Sequence, residues 1–310
     1  MKLRIILSLI LALVVMFYSH QLSLRRSSLL VIQSGDVRIE HLTVVNKIGP
    51  GDVKIEAKIT TPQPYEDYAI KLFYKIDDGV YKSVDFVPLE GDSTSKFIVH
   101  ISEKGELTSG QLVQKTESTL RFVANIPTQE KGKRAYYYIM VEDEQGNKVT
   151  LPDKIETIDP PFMLKFKGEV PLVVIIAHVF GMTAGLFFTF LAFFFAIDTL
   201  LGKDVLKRLG FSIFFSAISV FVGGMLVGGM VTHYTFGGYW EGVPIGWDIT
   251  DNKTLIIFLY WLIMLFLMKG TIFKKDEKLN LLKPKSLATF TLIGVILTIL
   301  LYLVPHSIRL

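Results

Sequence analysis

The chain has 310 residues, 50% of them hydrophobic, with a formal net charge of +4 and a mean hydropathy of +0.43. Zero cysteines exclude disulfides, thiolate metal sites and covalent Cys-x-x-Cys-His heme attachment. The basic residues sit in short loops between apolar stretches, so the charge does not indicate a nucleic-acid partner.

In chain order, residues 5–18 form an apolar run behind Lys2 and Arg4. Phe17-Tyr18-Ser19-His20 puts a bulky residue where a cleavage site needs a small one, which favours an uncleaved signal anchor over a removed signal peptide. Residues 1–29 are therefore read as anchor and linker, and either reading sends residues 30–165 out of the cytoplasm.

Residues 37–155 show short alternating runs, such as 53–59, 69–76 and 136–141, rich in Val, Ile, Thr and Tyr. Alternation predicts strands with one buried face. Turn signals at Gly49-Pro50-Gly51, Asp77-Asp78-Gly79 and Gln145-Gly146-Asn147 separate them, giving about seven strands and an antiparallel sandwich. Residues 122–127, Gly132, 136–139, Asp143, Gly146-Asn147 and Leu151-Pro152 resemble bacterial immunoglobulin-like or fibronectin III-like modules. That resemblance concerns fold and carries no activity. His41 and His100 read as ordinary surface or strand histidines, Asp77-Asp78 as a turn and not a metal site, and no catalytic constellation is present.

Four further apolar segments, near 170–201, 209–234, 255–268 and 287–304, approach the roughly 20 residues a span requires. The third is short and recruits Thr254 and the residues before it. Lys203, Lys207 and Arg208 lie in the first connection, and Lys269, Lys274, Lys275, Lys278, Lys283 and Lys285 in the third. The connection 235–252 has neither Lys nor Arg, so the positive-inside rule turns it outward. The fold class expected is a membrane α-helical bundle, four spans (166–310) plus the N-terminal signal anchor, with an all-β immunoglobulin-like sandwich. The location expected is the inner (cytoplasmic) membrane, in contact with lipid.

The outward connection carries WEGVPIGWD at 240–248. Its tryptophans and glycines suit a flat aromatic shelf on which a planar ligand lies, and heme is the first ligand to consider. His178 lies inside the first of these spans, where a charged group costs roughly 2.5 kcal/mol or more. It is read either as a ligand or as a neutral ring bonded to a neighbouring carbonyl. His233 ends the next span and His306 ends the last, both at the predicted outer side. Two imidazoles from different helices can ligate iron axially. Gly181, Gly185, Gly223-Gly224 and Gly228-Gly229 strip side-chain bulk from two helices, for close packing or for a porphyrin face. Thr250 or Asp251 is expected to cap the helix that follows the loop, and Asp198 to form a surface pair with Lys203.

Trp240, Trp247 and Asp248 of this loop, the apolar helix after it, His178 before it and His306 after it resemble the tryptophan-rich heme-handling proteins of cytochrome c maturation. The resemblance covers the last four spans; one motif tryptophan is absent, and the inner histidine pair of the synthases has no counterpart. It implies an outward-facing site for noncovalent heme b, with His178 and His306 as iron ligands and His233 as a substitute. It also implies Trp240 and Trp247 as shelf, Asp248 as loop-orienting or propionate-side residue, and a cytochrome or cytochrome-assembly protein as client of the β domain. A b-type electron-transfer subunit and a heme-free scaffold, whose tryptophans only anchor the loop, are the alternatives.

Overall fold

The computed structural model describes residues 1–24, 27–89, 94–98, 115–274 and 276–305. His100 and His306 lie outside the described residues. The chain divides into two units, Arg26–Gly168 and a second formed by Met1–Arg25 with Glu169–Leu310.

The first unit is all β. Its strands are β1 Leu29–Ser34, β2 Val37–Leu42, β3 Asn46–Ile48, β4 Val53–Thr61, β5 Tyr68–Ile76, β6 Lys82–Asp85, β7 Val87–Pro88, β8 Thr94–Ile98, β9 Lys115–Ile126, β10 Arg134–Asp143, β11 Lys148–Leu151 and β12 Phe162–Lys167. One sheet runs β1-β2-β4-β9-β7 with β8 also on β9, and the other runs β3-β12-β10-β5-β6 with β11 also on β10. The strand count exceeds the seven expected because the extra members are short edge strands. In β1 no residue is buried, and β7 has two residues, so neither shows the alternation that marks a half-buried strand.

In β4, Val53, Ile55, Ala57 and Ile59 point inward while Lys54, Glu56 and Lys58 point out. Their cross-strand partners on β9 include Ala124 and Phe122. The facing sheet offers Leu72 opposite Ile139 and Tyr74 opposite Tyr137. These residues form one shared apolar core, each large side chain contributing about 1.5–3 kcal/mol by leaving water.

One polar network enters that core. His41 is the strand histidine expected, lying in β2, and at 1% exposure it is buried and not on the surface. Its Nδ1 donates to the Glu56 carbonyl at 2.7 Å, and its Nε2 accepts from the Tyr137 hydroxyl at 2.9 Å. That hydroxyl accepts in turn from the Val44 amide at 3.1 Å. Asp77, the expected turn residue, takes a positive φ of 47° and accepts from the Arg134 amide at 3.0 Å.

The second unit is helical: α1 Lys2–Ser23, α2 Leu172–Leu200, α3 Leu206–Ser219, α4 Gly228–Phe236, α5 Ile249–Leu267 and α6 Pro284–Leu303. A π-helical segment, Val220–Val227, joins α3 to α4, making one continuous helix Leu206–Phe236. Among the described residues, five helices are long and apolar enough to cross a membrane. α2 packs against α1, α3 and α6, around a core that includes Leu186, Leu209, Ile257 and the fully buried Trp261.

α5 begins six residues before the apolar run at 255, because Asp248 is its N-cap. The Asp248 carboxylate accepts from the Thr250 amide at 2.8 Å and the Asp251 amide at 3.2 Å. This replaces the expected cap at Thr250 or Asp251. Asp198 pairs with Lys203 as expected, but the carboxylate is buried, 3% exposed, and not at the surface. Its carboxylate accepts from Nη1 and Nη2 of Arg4, the latter at 2.9 Å, and from the Lys203 ammonium at 2.8 Å. A carboxylate withdrawn from water needs such compensation, and here it ties the first turn of α1 to the last turn of α2.

Arg4→Leu leaves that carboxylate to Lys203 alone. We expect a loss of about 2 kcal/mol, below the range for fully buried pairs because Arg4 is partly exposed. It should be read as a lower unfolding midpoint in detergent; an unchanged midpoint contradicts the clasp. Burial holds the His41 imidazole below the ordinary histidine value of 6.5. As pH falls below 6.5 the unfolded chain gains a proton that the folded site resists, so stability is present above this window and declines within it. Amide protection factors in β2 and β4, corrected for the intrinsic exchange rate, should fall between pH 7 and pH 5; equal protection at both would count against it.

Candidate functional site

The site starts from glycines. A Cβ on Gly181 would lie 2.5 Å from the Gly223 Cα, so α2 meets the π-helical segment backbone to backbone. One Gly224 hydrogen faces Met182 of α2 and Thr254 of α5, where a Cβ would approach within 3.1 and 2.7 Å. Gly228 faces the His178 ring, whose Cε1 would lie 3.3 Å from an added Cβ. Helix packing therefore takes up the bare surface that a porphyrin face would need.

The π-helical pattern changes what the Gly223 carbonyl meets. It accepts from the Gly228 amide, one residue later than in an α-helix, and from His178 Nδ1 at 2.8 Å. A carbonyl only accepts, so Nδ1 carries the proton and Nε2 keeps its lone pair. Among the described residues Nε2 has no hydrogen-bond partner.

His178 lines a cavity of about 50 Å³ at the α6 C-terminal end of the bundle. Met182 joins it from α2, Met16 and Ser19 from α1, Thr250, Lys253, Thr254 and Ile257 from α5, and Leu301 and Tyr302 from α6. Lys253 is 7% exposed, and its ammonium donates to the Val304 carbonyl at 2.7 Å, just past the end of α6. The Tyr302 hydroxyl donates to the Met182 carbonyl at 3.0 Å. Lys253 is the residue the sequence reading lacks; its signal is a single lysine two positions before the apolar run that starts at Leu255.

The tryptophan loop is pinned to the first turn of α5. The Glu241 amide donates to the Asp251 carboxylate and the Val243 amide to Asn252 Oδ1, each at 2.7 Å. Trp240 donates its indole N–H to the Val243 carbonyl at 3.1 Å, folding back onto its own loop. Trp247 is 86% exposed. The flat ring pair in this region is His233 on Tyr239, with centroids 4.3 Å apart and planes 9° apart. His233 Nδ1 donates to the Gly237 carbonyl at 2.9 Å. Asp248 spends its carboxylate on the α5 cap.

Of the six residues selected from sequence, His178 alone lines the cavity; His233, Trp240, Trp247 and Asp248 occupy separate environments around the loop, and His306 lies outside the described residues. Ligands of drug size occupy pockets of roughly 300–1,000 Å³, several times the space beside His178. The residues do not fit a porphyrin enclosed between α2 and the π-helical segment. Among the described residues no group of three or more His, Cys, Asp or Glu is placed to hold a metal ion.

No protein-family model matches the chain, and no curated protein matches it. Among solved structures, one described as "Structure or murine CRIg" aligns at 15% identity and a TM-score of 0.19, covering 44% of this chain and 100% of that one. A score this low carries no argument.

Gly181→Ala forces α2 away from Gly223, since backbone atoms and not a flexible tip stand in the way. The expected cost is about 1–3 kcal/mol, seen as a lower unfolding midpoint, with Gly238→Ala in open space as the neutral control. Equal midpoints for the two variants contradict the close approach.

Proposed function

We propose that this chain is a multi-pass protein of the cytoplasmic membrane that binds the polar group of a small ligand in the His178–Lys253 cavity. Four spans plus α1 as retained anchor form the membrane part, and residues 30–165 form an immunoglobulin-like unit on the outer side. The observation that carries the reading is an imidazole and an ammonium from two spanning helices lining one cavity. Ionisable groups are costly inside spans and face binding sites or pathways where they occur. The orientation rests on the positive-inside rule. Arg4 and Lys203 meet at one end of the bundle, and the chain adds Lys207, Arg208, Lys269 and Lys283 to the connections there, whereas loop 237–248 has no basic residue. Exposed Trp247 then anchors the loop at the interface.

Ser19→Leu fills the cavity from α1. Native mass spectrometry of the full chain released from nanodiscs should show a bound small molecule on the wild type and none on the variant. The same bound mass on both, or none on either, contradicts the reading.

Heme handling in cytochrome c maturation is the second reading, favoured by one observation. His178 Nδ1 is fixed by a backbone carbonyl, which orients Nε2 as metal-binding histidines are oriented. This supports brief presentation from one imidazole over a b-type electron-transfer subunit, because the glycine faces are closed. The β unit would then engage a cytochrome or cytochrome-assembly client. A Soret band on adding hemin to the purified protein, lost in His178→Ala, supports it; no band, or one indifferent to His178, removes it.

A further inference from the structure

The cavity sorts ligands by the direction of their hydrogen bonds. His178 holds its proton at Nδ1, on the Gly223 carbonyl, so the nitrogen it offers the cavity only accepts. Two lining hydroxyls have spent their protons as well. Tyr302 donates to the Met182 carbonyl at 3.0 Å and Thr254 to the Thr250 carbonyl at 2.9 Å. Any contact that either oxygen makes with a ligand is therefore made as an acceptor.

Donors are scarcer on this wall. The Lys253 ammonium is already engaged, by the Val304 carbonyl at 2.7 Å and by the charge of Asp248. The Ser19 hydroxyl turns either way and does not discriminate. No lining residue is acidic, so an ammonium entering here would lose its water with no counter-charge to replace it. A carboxylate only accepts and would face acceptors. An amide would bring a carbonyl that needs a donor of its own. A neutral hydroxyl avoids all three costs and is small enough for a space of about 50 Å³. The remaining wall, Met16, Ile257 and Leu301, is apolar and suits a hydrocarbon stem.

We propose that the cavity binds the neutral hydroxyl of an aliphatic alcohol, which donates to His178 Nε2 while its chain lies against the apolar wall. The inference rests on the cavity being the ligand site and adds the charge and class of the ligand. The hydroxyl head of a membrane lipid and that of a soluble alcohol donate alike, so chain length separates the two sources.

The test uses the full protein in nanodiscs and follows the unfolding midpoint against 1-octanol, 1-propanol, methyl octyl ether and sodium octanoate, since a ligand of the folded state raises that midpoint by mass action. Octanol should give a saturable rise. The ether and octanoate accept but have no proton to donate, and each should bind about tenfold more weakly or not at all. His178→Leu should weaken octanol by about tenfold and Thr254→Val by about threefold, while exposed Thr289→Val, at the end of α6 away from the cavity, leaves it intact. Propanol acting as strongly as octanol keeps the hydroxyl site and assigns it to a soluble source. Ether or octanoate acting as strongly as octanol, or octanol binding unaltered in His178→Leu, overturns the proposal. If His178→Leu does not fold, Thr254→Val decides, and unaltered binding overturns it. Octanol and ether binding equally, and both lost in Ser19→Leu, removes the donating hydroxyl and leaves the cavity reading standing. No response in any arm removes both.

Discussion

The contact between Gly181 of α2 and Gly223 of the π-helical segment sets the geometry of the helical unit. Neither position tolerates a Cβ without moving backbone, so the two helices run closer than side chains would allow. That approach brings His178 onto the Gly223 carbonyl, which the widened helical turn leaves able to take a second donor. Packing and chemistry are therefore one feature. The glycines are required for the approach, the approach fixes the imidazole tautomer, and the tautomer decides which nitrogen faces the cavity.

Two polar ties hold the helices around this centre at opposite ends. Arg4 and Lys203 converge on Asp198 at one end of α2. At the other, Lys253 reaches the carbonyl just past the end of α6, and Asp251 and Asn252 grip the tryptophan loop. Both ties place charge where burial makes it expensive, so each narrows the arrangements the helices can adopt. They differ in outcome. Asp198 is met by two cations, whereas Lys253 donates to the Val304 carbonyl from the wall of a cavity that His178 and Ser19 also line.

How much of this was legible in the sequence depends on the kind of signal. Alternation in 53–59 directly predicts β4, because period-two burial is written into residue type. Edge strands such as β1 escape, since their exposure is set by what lies beside them and not by their own composition. An apolar run predicts a span, but its start depends on a cap, and Asp248 against Asp251 is decided by which carboxylate the loop needs. His178 stood out as an ionisable residue inside a span. Lys253 did not, because a lysine before an apolar run looks like a headgroup residue until the helix is seen to begin at Ile249. The tryptophans drew attention by type, while their roles, one folded onto its loop and one exposed, are set by local hydrogen bonds that composition does not encode. The π-helical turn leaves no period of its own in eight residues, and adjacent Gly223 and Gly224 were the only trace of it.

The orientation of a single imidazole ring, that of His178, decides which nitrogen faces the cavity. Nitrogen-15 magnetic resonance of the histidine-labelled protein in nanodiscs, with His178 assigned by its loss in His178→Asn, reads its tautomer directly. The protonated nitrogen should be Nδ1, with its proton in a hydrogen bond, and Nε2 should show the shift of a bare lone pair. A ring protonated on Nε2, with Nδ1 bare, would mean that His178 does not face the Gly223 carbonyl, and the site described here would not exist.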